Sequence, residues 1–222
     1  MGQPTLIAWA LVATWWTGPS QRRLFSAVLV HASNYERWVN GVVNSRSKAQ
    51  LLEHVRLLSL NQYQMQDLSQ DHGEYLPGLC NVRRLVLYRA RIHEAQFHPC
   101  FSAFRGTLTS LSIDAFTSFG AFVALVDYFP NLRKLELYSH RLQPNDGPVP
   151  SLSRPLRGEL HLHPSMTTHL EFLSQFSKLD LEYEALVIDS SLFGEPSLLE
   201  TALQISPNTV KFLKMPGKSR GK

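Results

Sequence analysis

Cysteine is nearly absent, with Cys80 and Cys100 the only two in 222 residues. Two thiols cannot build a disulfide framework, and no Asn-x-Ser/Thr sequon occurs. Both absences point to a reducing, intracellular compartment, cytoplasmic or nuclear. Burial as a small hydrophobe is the usual fate of a free cysteine, so neither thiol is assigned any chemistry. A long apolar run is missing too. Leu6 to Val12 comes nearest, but Thr14, Gly18 and Pro19 break it well short of the roughly 20 residues a span needs, and no basic region precedes it. It is expected to be a buried helix. Met1-Gly2 invites an N-terminal lipid only if Ser or Thr stands at the sixth position, where this chain has Leu6. No membrane association is expected.

Charge of one sign is equally scarce. Residues 1–110 hold 11 Lys/Arg against 6 Asp/Glu, and residues 111–222 hold 11 against 12, which together give the net +4. Arg83, Arg84, Arg89 and Arg91 carry much of the first excess, opposed by Asp180, Glu182, Glu184 and Asp189. An excess this small lacks the concentrated stripe that nucleic acid requires. Catalytic signatures fail as well: G-x-S-x-G, H-E-x-x-H and G-x-G-x-x-G do not occur. Gly217-Lys218-Ser219 echoes a phosphate loop, but Phe212 stands where its first glycine belongs and no helix comes after it. His93-Glu94 with Pro99-Cys100 misses the spacing of a zinc deaminase. One constellation remains. Glu159, His161 and His163 alternate along a strand and so share a face, where they could act as three metal ligands or form a solvated polar row. The solvated row is the expectation, with no metal and no cofactor.

What the chain has in quantity is leucine at a fixed phase. Phe119 to Tyr138 shows one complete unit. Phe119, Phe122, Val123, Val126 and Phe129 follow a helical period, Pro130-Asn131 ends the helix, and Leu132-x-x-Leu135-x-Leu137 continues as a strand. The strand motif recurs as Val55-x-x-Leu58-x-Leu60, Val82-x-x-Leu85-x-Leu87, Leu108-x-x-Leu111-x-Ile113, Tyr183-x-x-Leu186-x-Ile188 and Val210-x-x-Leu213-x-Met215. A weaker copy, Leu160-x-Leu162 with Arg157 in first place, fills the gap. The middle markers 58, 85, 111, 135, 160, 186 and 213 step by 27, 26, 24, 25, 26 and 27, within the roughly 20 to 29 residues of a leucine-rich repeat.

The expected fold is therefore α/β: a leucine-rich-repeat solenoid with parallel strands on its concave side, helices and loops on its convex side, and a helical N-terminal cap. Residues 1–46 form the cap, which holds all four tryptophans (Trp9, Trp15, Trp16, Trp38) and no repeat motif. Residues 47–216 are the repeats, and 217–222 a basic tail. Helix-to-strand units are expected around Leu51, Leu52 and Val55, at His169 to Phe176 and at Pro196 to Ile205. Residues 75–90 have room only for a tight turn, and Gln143 to Pro155, with four prolines and Asn-Asp-Gly, reads as a loop. The residues beside the marker leucines would line the concave face, where solenoids grip partners. Arg84, Tyr88, Asp114, Lys134, Glu136, Tyr138, Glu159, His161, His163 and Asp189 are the candidate contacts, with Tyr88 and Tyr138 as anchors because interface hot spots favour Tyr and Arg.

The run LVATWWTGPSQRRLFSAVLVHASNYERWVNGVV, Leu11 to Val43, resembles the stretch after the middle of an F-box in many fungal F-box proteins, where a buried helix leads into S-Q-R-x-L-F and then a first strand. CFSAFRGTLTSLSIDAF, VDYFPNLRKLELYSHRL, GPVPSLSRPLRGELHLH and KLDLEYEALVIDS resemble the repeat region of basidiomycete proteins of that kind. The resemblance implies a substrate receptor of a Skp-cullin-F-box ubiquitin ligase, with Leu11, Val12, Trp15, Trp16, Leu24 and Phe25 meeting the Skp adaptor. It departs at its start: the Leu-Pro helix that opens such F-boxes has no counterpart before Leu11, which implies either a start further upstream or a copy without adaptor binding. The expectation is a non-catalytic protein-binding module. A stand-alone repeat scaffold is the first alternative and a metal-dependent enzyme the second.

Overall fold

The computed structural model describes residues 14–31, 34, 51–61, 78–88, 101–114, 119–138, 151–163, 174–179, 181–188, 200, 203–204 and 212–214. Among them, eight strands form one sheet in chain order: β1 (Ala27–Val30), β2 (Leu57–Asn61), β3 (Arg84–Tyr88), β4 (Ser110–Asp114), β5 (Lys134–Leu137), β6 (Leu156–Leu162), β7 (Leu181–Ile188) and β8 (Phe212–Lys214). Every neighbouring pair is parallel. The α-helices α1 (Thr14–Leu24) and α2 (Phe119–Tyr128) and a 3₁₀ turn at Ser102–Phe104 accompany the sheet. The fold is α/β, built on a single parallel sheet. Among the described residues no helix is long and apolar enough to cross a membrane.

The marker residues stack. Leu58, Leu85, Leu111, Leu135, Leu160, Leu186 and Leu213 are consecutive register partners. A second row runs beside them through Leu60, Leu87, Ile113, Leu137, Leu162 and Ile188. From Leu58 to Leu186 in the first row, and throughout the second, the side chains are buried. A parallel strand satisfies its backbone only against its neighbours, and each leucine covers the next, so hydrogen bonding and apolar burial select the same register. At roughly 1.5 to 3 kcal/mol per buried leucine, a one-residue slip would turn both rows to water at a cost that no alternative pairing could offset.

Two boundaries differ from the sequence reading. The sheet begins inside the stretch assigned to the cap: Val28 and Val30 of β1 pair in register with Leu58 and Leu60 and are buried. The short AVLV strand falls outside the period because valines replace both marker leucines and Val28, although Phe25 holds the leading apolar position, stands 30 residues before Leu58 rather than 24 to 27. In β6, Leu156 rather than Arg157 turns into the core; Leu156 is buried and Arg157 exposed. Alternation along β6 carries Leu156, Leu160 and Leu162 to the same side, and the register shift between Gly158 and Glu159 leaves Glu184 as an extra residue on β7. Cys80 also differs, being an exposed free thiol; Cys100 lies outside the described residues.

Helix α2 buries Phe119, Phe122, Val123 and Val126 as the period requires, and also Ala121, Leu125 and Tyr128. A helix this apolar is covered on more than one side. Phenylalanines knit successive units together: Phe104 and Phe129 stack at 6.1 Å, Phe101 approaches them at 5.5 and 5.9 Å, and Phe122 meets Phe176 at 5.8 Å. Residues 174–176 carry the end of the helix expected at His169 to Phe176, and the short turn expected before β3 includes a 3₁₀ segment at Gly78 and Leu79. Of the expected loop, residues 151–155 hold neither helix nor strand, and the earlier part lies outside the described residues.

Polar residues ahead of the strands tie each unit to the one before. Asn81 Nδ2 donates to Glu53 O at 3.0 Å, Thr107 Oγ1 to Val82 O at 2.9 Å and Asn131 Nδ2 to Gly106 O at 2.6 Å. Ser153 donates from both N and Oγ to Asp127 Oδ1, at 3.0 and 2.6 Å. These bonds engage turn carbonyls and a carboxylate in the last turn of α2.

Gly158 has φ +100°, and a Cβ built there would lie 2.0 Å from Arg133 O. That carbonyl accepts the Glu159 N–H at 2.7 Å, so it cannot move without opening the β5–β6 ladder. Gly158→Ala is expected to cost about 3 kcal/mol or more, from the left-handed backbone and the clash together. Urea unfolding against wild type measures it, and a loss below about 1 kcal/mol would show that the bulge relaxes freely.

Candidate functional site

Alternation sends the residues between the core leucines to the opposite side of the sheet. One row there holds Arg84, Ser110, Lys134 and Glu159, and the next holds Ser112, Glu136 and His161. Tyr88 and Asp114 are paired in a third row. Tyr138 and His163 extend it, their backbone N–H groups donating to Ile113 O at 2.8 Å and Leu137 O at 3.1 Å.

Glu136 organises this face. It is only 4% exposed, and a buried carboxylate must be paired or neutralised. Its neighbours in register supply the partners. Arg84 Nη2 reaches Oε2 at 3.0 Å, Lys134 Nζ reaches Oε1 at 2.7 Å, and Ser112 Oγ donates to Oε2 at 2.5 Å. Tyr138 OH stands 3.5 Å from Oε2. Burial alone would raise the Glu136 pKa, but hydrogen bonds from Lys134 and Ser112 and the charges of Arg84 and Lys134 outweigh it and lower the group to about 2. Burial, with the Glu136 charge behind it, raises the Tyr138 phenol. Alternation alone counts Glu136 among the partner-contacting side chains; it lies instead beneath the surface that Arg84 and Lys134 form.

The remaining candidates divide. Tyr88 is 44% exposed, and Tyr138 stacks on His163 with ring centroids 3.8 Å apart. Glu159 Oε2 and His161 Nε2 meet at 3.1 Å. The Glu-His-His constellation therefore does not converge, because His163 is engaged on the Tyr138 ring. Among the described residues no group of three or more His, Cys, Asp or Glu gathers to hold a metal ion. Asp189 lies outside the described residues, as do Leu11 and Val12 at the other end of the chain. Trp15 and Trp16 fall on α1, and Leu24 and Phe25 at its end are half-buried.

Sequence reasoning overlooked the residues that bound this face at the N-terminal ends of the strands. Arg56, Arg83 and Arg133 each occupy the second position of the strand motif, in V-R-L-L-S-L, V-R-R-L-V-L and L-R-K-L-E-L. The repetition was the available signal. A cleft of about 490 Å³, lined by Arg22, Ser26, Glu53, His54, Arg56 and Asn81, opens at the same end.

No protein-family model and no curated protein matches the chain. Among solved structures it is similar to leiomodin-1 actin-binding site 2, at 13% identity and a TM-score of 0.35, over 72% of this chain and 90% of that one.

The Glu136 network carries a pH signature. The folded pKa is depressed, so its stabilisation is complete above the unfolded value near 4.5 and is lost as pH falls toward about 2. Glu136→Gln is expected to cost about 2 to 3 kcal/mol at neutral pH, with the deficit shrinking through that window. Urea titrations of both proteins across this range measure it; a deficit independent of pH would show that the carboxylate charge contributes nothing.

Proposed function

We propose that the chain is a leucine-rich-repeat solenoid acting as a non-catalytic protein-binding module, resembling the substrate-recognition subunit of a Skp-cullin-F-box ubiquitin ligase. The observation that carries the binding half is the polar sheet face. Seven strands in register, β2 to β8, give it a backbone that does not need to rearrange, and the Glu136 network fixes Arg84 and Lys134 before any partner arrives. Preorganised side chains lose less entropy on binding. Arg84 and Tyr88, both nearly half exposed, are residue types that dominate interface energies. The ligase half rests on the resemblance of Leu11 to Val43 to fungal F-box proteins. In that reading α1 and the residues before it dock on the Skp adaptor, with Trp15, Trp16, Leu24 and Phe25 in contact. The repeats hold the target, and transfer is promoted by raising the target's effective concentration beside the ligase. A cytoplasmic or nuclear location goes with this role.

Co-expression of the chain with a fungal Skp adaptor, followed by calorimetric titration of the purified pair, tests the proposal. Stoichiometric binding, reduced at least tenfold in a Trp15→Ala, Trp16→Ala variant that melts as wild type does, is the expected result. Failure of a well-folded chain to bind would remove the ligase half and leave a stand-alone repeat scaffold.

A further inference from the structure

The N-terminal rim of the sheet concentrates charge that the overall composition conceals. Arg56 and Arg83 are neighbours in the ladder, since Arg83 N and Arg84 N both donate to Arg56 O. Thr109 N and Ser110 N donate to Arg83 O in turn, and Arg133 N and Lys134 N to Thr109 O. Arg56, Arg83, Thr109 and Arg133 thus form one row across β2 to β5, and Arg84, Ser110 and Lys134 the next. Arg157 continues the rim on β6. Six cations lie on or just before four of the five strands β2 to β6, with none at β4.

Three of the four acids nearby are already engaged; the exposed Glu53 carboxylate makes no ion pair among the described residues. Glu136 is buried beneath Arg84 and Lys134, two cations against one carboxylate. Glu159 is held by His161, and Glu182 by Arg157 Nε at 2.7 Å. Glu53 gives its backbone carbonyl to Arg56, at 2.9 Å, which with bonds to Val55 O and Asn81 O fixes that guanidinium in place. Arg83 and Arg133 are exposed, and among the described residues neither guanidinium makes a hydrogen bond or ion pair. The rim therefore shows a partner Arg56, Arg83 and Arg133 with no described carboxylate paired to them.

We infer that this rim docks an acidic segment of a protein target, carboxylates seated against Arg56, Arg83 and Arg133. The inference rests on the protein-binding reading above and names the chemistry of the partner. Strands about 4.8 Å apart give the stretch from β2 to β6 a length of about 19 Å, which about six extended residues span. A protein segment fits better than nucleic acid. The stripe is short, acids are interleaved with its cations, and Tyr88 and Tyr138, the aromatic residues on which bases would stack, sit at the other ends of the strands.

The test is fluorescence anisotropy of labelled hexaglutamate, hexalysine and oligothymidine with the full chain, at low and high salt. An Arg83→Gln, Arg133→Gln variant removes two cations that hold no other described side chain, and a Lys218→Gln, Lys222→Gln variant removes equal charge from the last residues of the sequence. The expected result is salt-sensitive hexaglutamate binding that weakens about fivefold or more in the rim variant and less than about twofold in the control, with both variants melting as wild type does. Equal weakening in the two variants would reduce the effect to net charge and overturn the site. Preference for hexalysine, preference for oligothymidine, or no peptide binding would each overturn it too. Adaptor binding retained in any of these outcomes would leave the module reading intact.

Discussion

One leucine position, repeated in register from Leu58 to Leu213, is the constraint on which the rest of the molecule depends. Each parallel strand can satisfy its backbone only against the strands on either side, and each can bury its leucine only if that backbone pairs without slipping. The two requirements coincide at every step of 24 to 27 residues. The segments between strands are then free to vary, provided their apolar side packs onto the leucine rows. A ten-residue helix precedes β5, a 3₁₀ turn precedes β4, and residues 151–155 run irregularly into β6. Phe101, Phe104, Phe119, Phe122, Phe129 and Phe176 fill the space that these unequal connections leave.

The polar face inherits its order from the buried one. Arg84 and Glu136 are 52 residues apart in sequence, Ser112 and Glu136 are 24 apart, and they meet only because β3, β4 and β5 lie in one register. A slip of one residue in β5 would turn Glu136 toward the phenylalanines and Leu135 toward water. The penalty for burying an unpaired carboxylate adds to the apolar loss, so the network penalises the same error twice. Buried ion pairs often contribute little net stability; here the surroundings supply three donors, and the carboxylate stays ionised.

The strand rows were legible in the sequence because they repeat, and α2 because its period is long and a proline ends it. The repeat period missed β1, since Val28 and Val30 stand outside the phase that the leucines set, and only the resemblance implied a strand after S-Q-R-R-L-F. The register shift between β6 and β7 was hidden for a different reason: L-R-G-E-L-H-L reads equally well with Leu156 or Arg157 as the leading residue, and nothing in L-E-Y-E-A-L-V-I marks Glu184 as the extra residue. Of the candidate site, the membership of the polar face came from alternation alone, but alternation cannot say which member is buried. Glu136 and Glu159 look alike in sequence, both next to leucines, yet the first lies between cations on its own strand and on β3, and the second pairs with a histidine two residues on. Asn81, Thr107 and Asn131 carry no pattern that separates a residue tied to the previous unit from an ordinary turn residue.

Formal charge and the charge a partner meets are different quantities in this fold. A composition of +4 over 222 residues argues for no particular partner. Burying Glu136 removes one negative group from the surface while leaving the outer parts of Arg84 and Lys134 on it, and the pair of Glu182 with Arg157 offsets another. The backbone ladder meanwhile aligns Arg56, Arg83 and Arg133, which are distant in sequence, along one edge. Summed over the chain these groups nearly cancel against acids elsewhere; beyond about one Debye length, roughly 8 Å at physiological salt, that cancellation no longer screens what the rim presents. A parallel sheet whose strands carry one motif in register converts a weak preference at one motif position into a contiguous stripe, because every copy of the position is brought to the same edge.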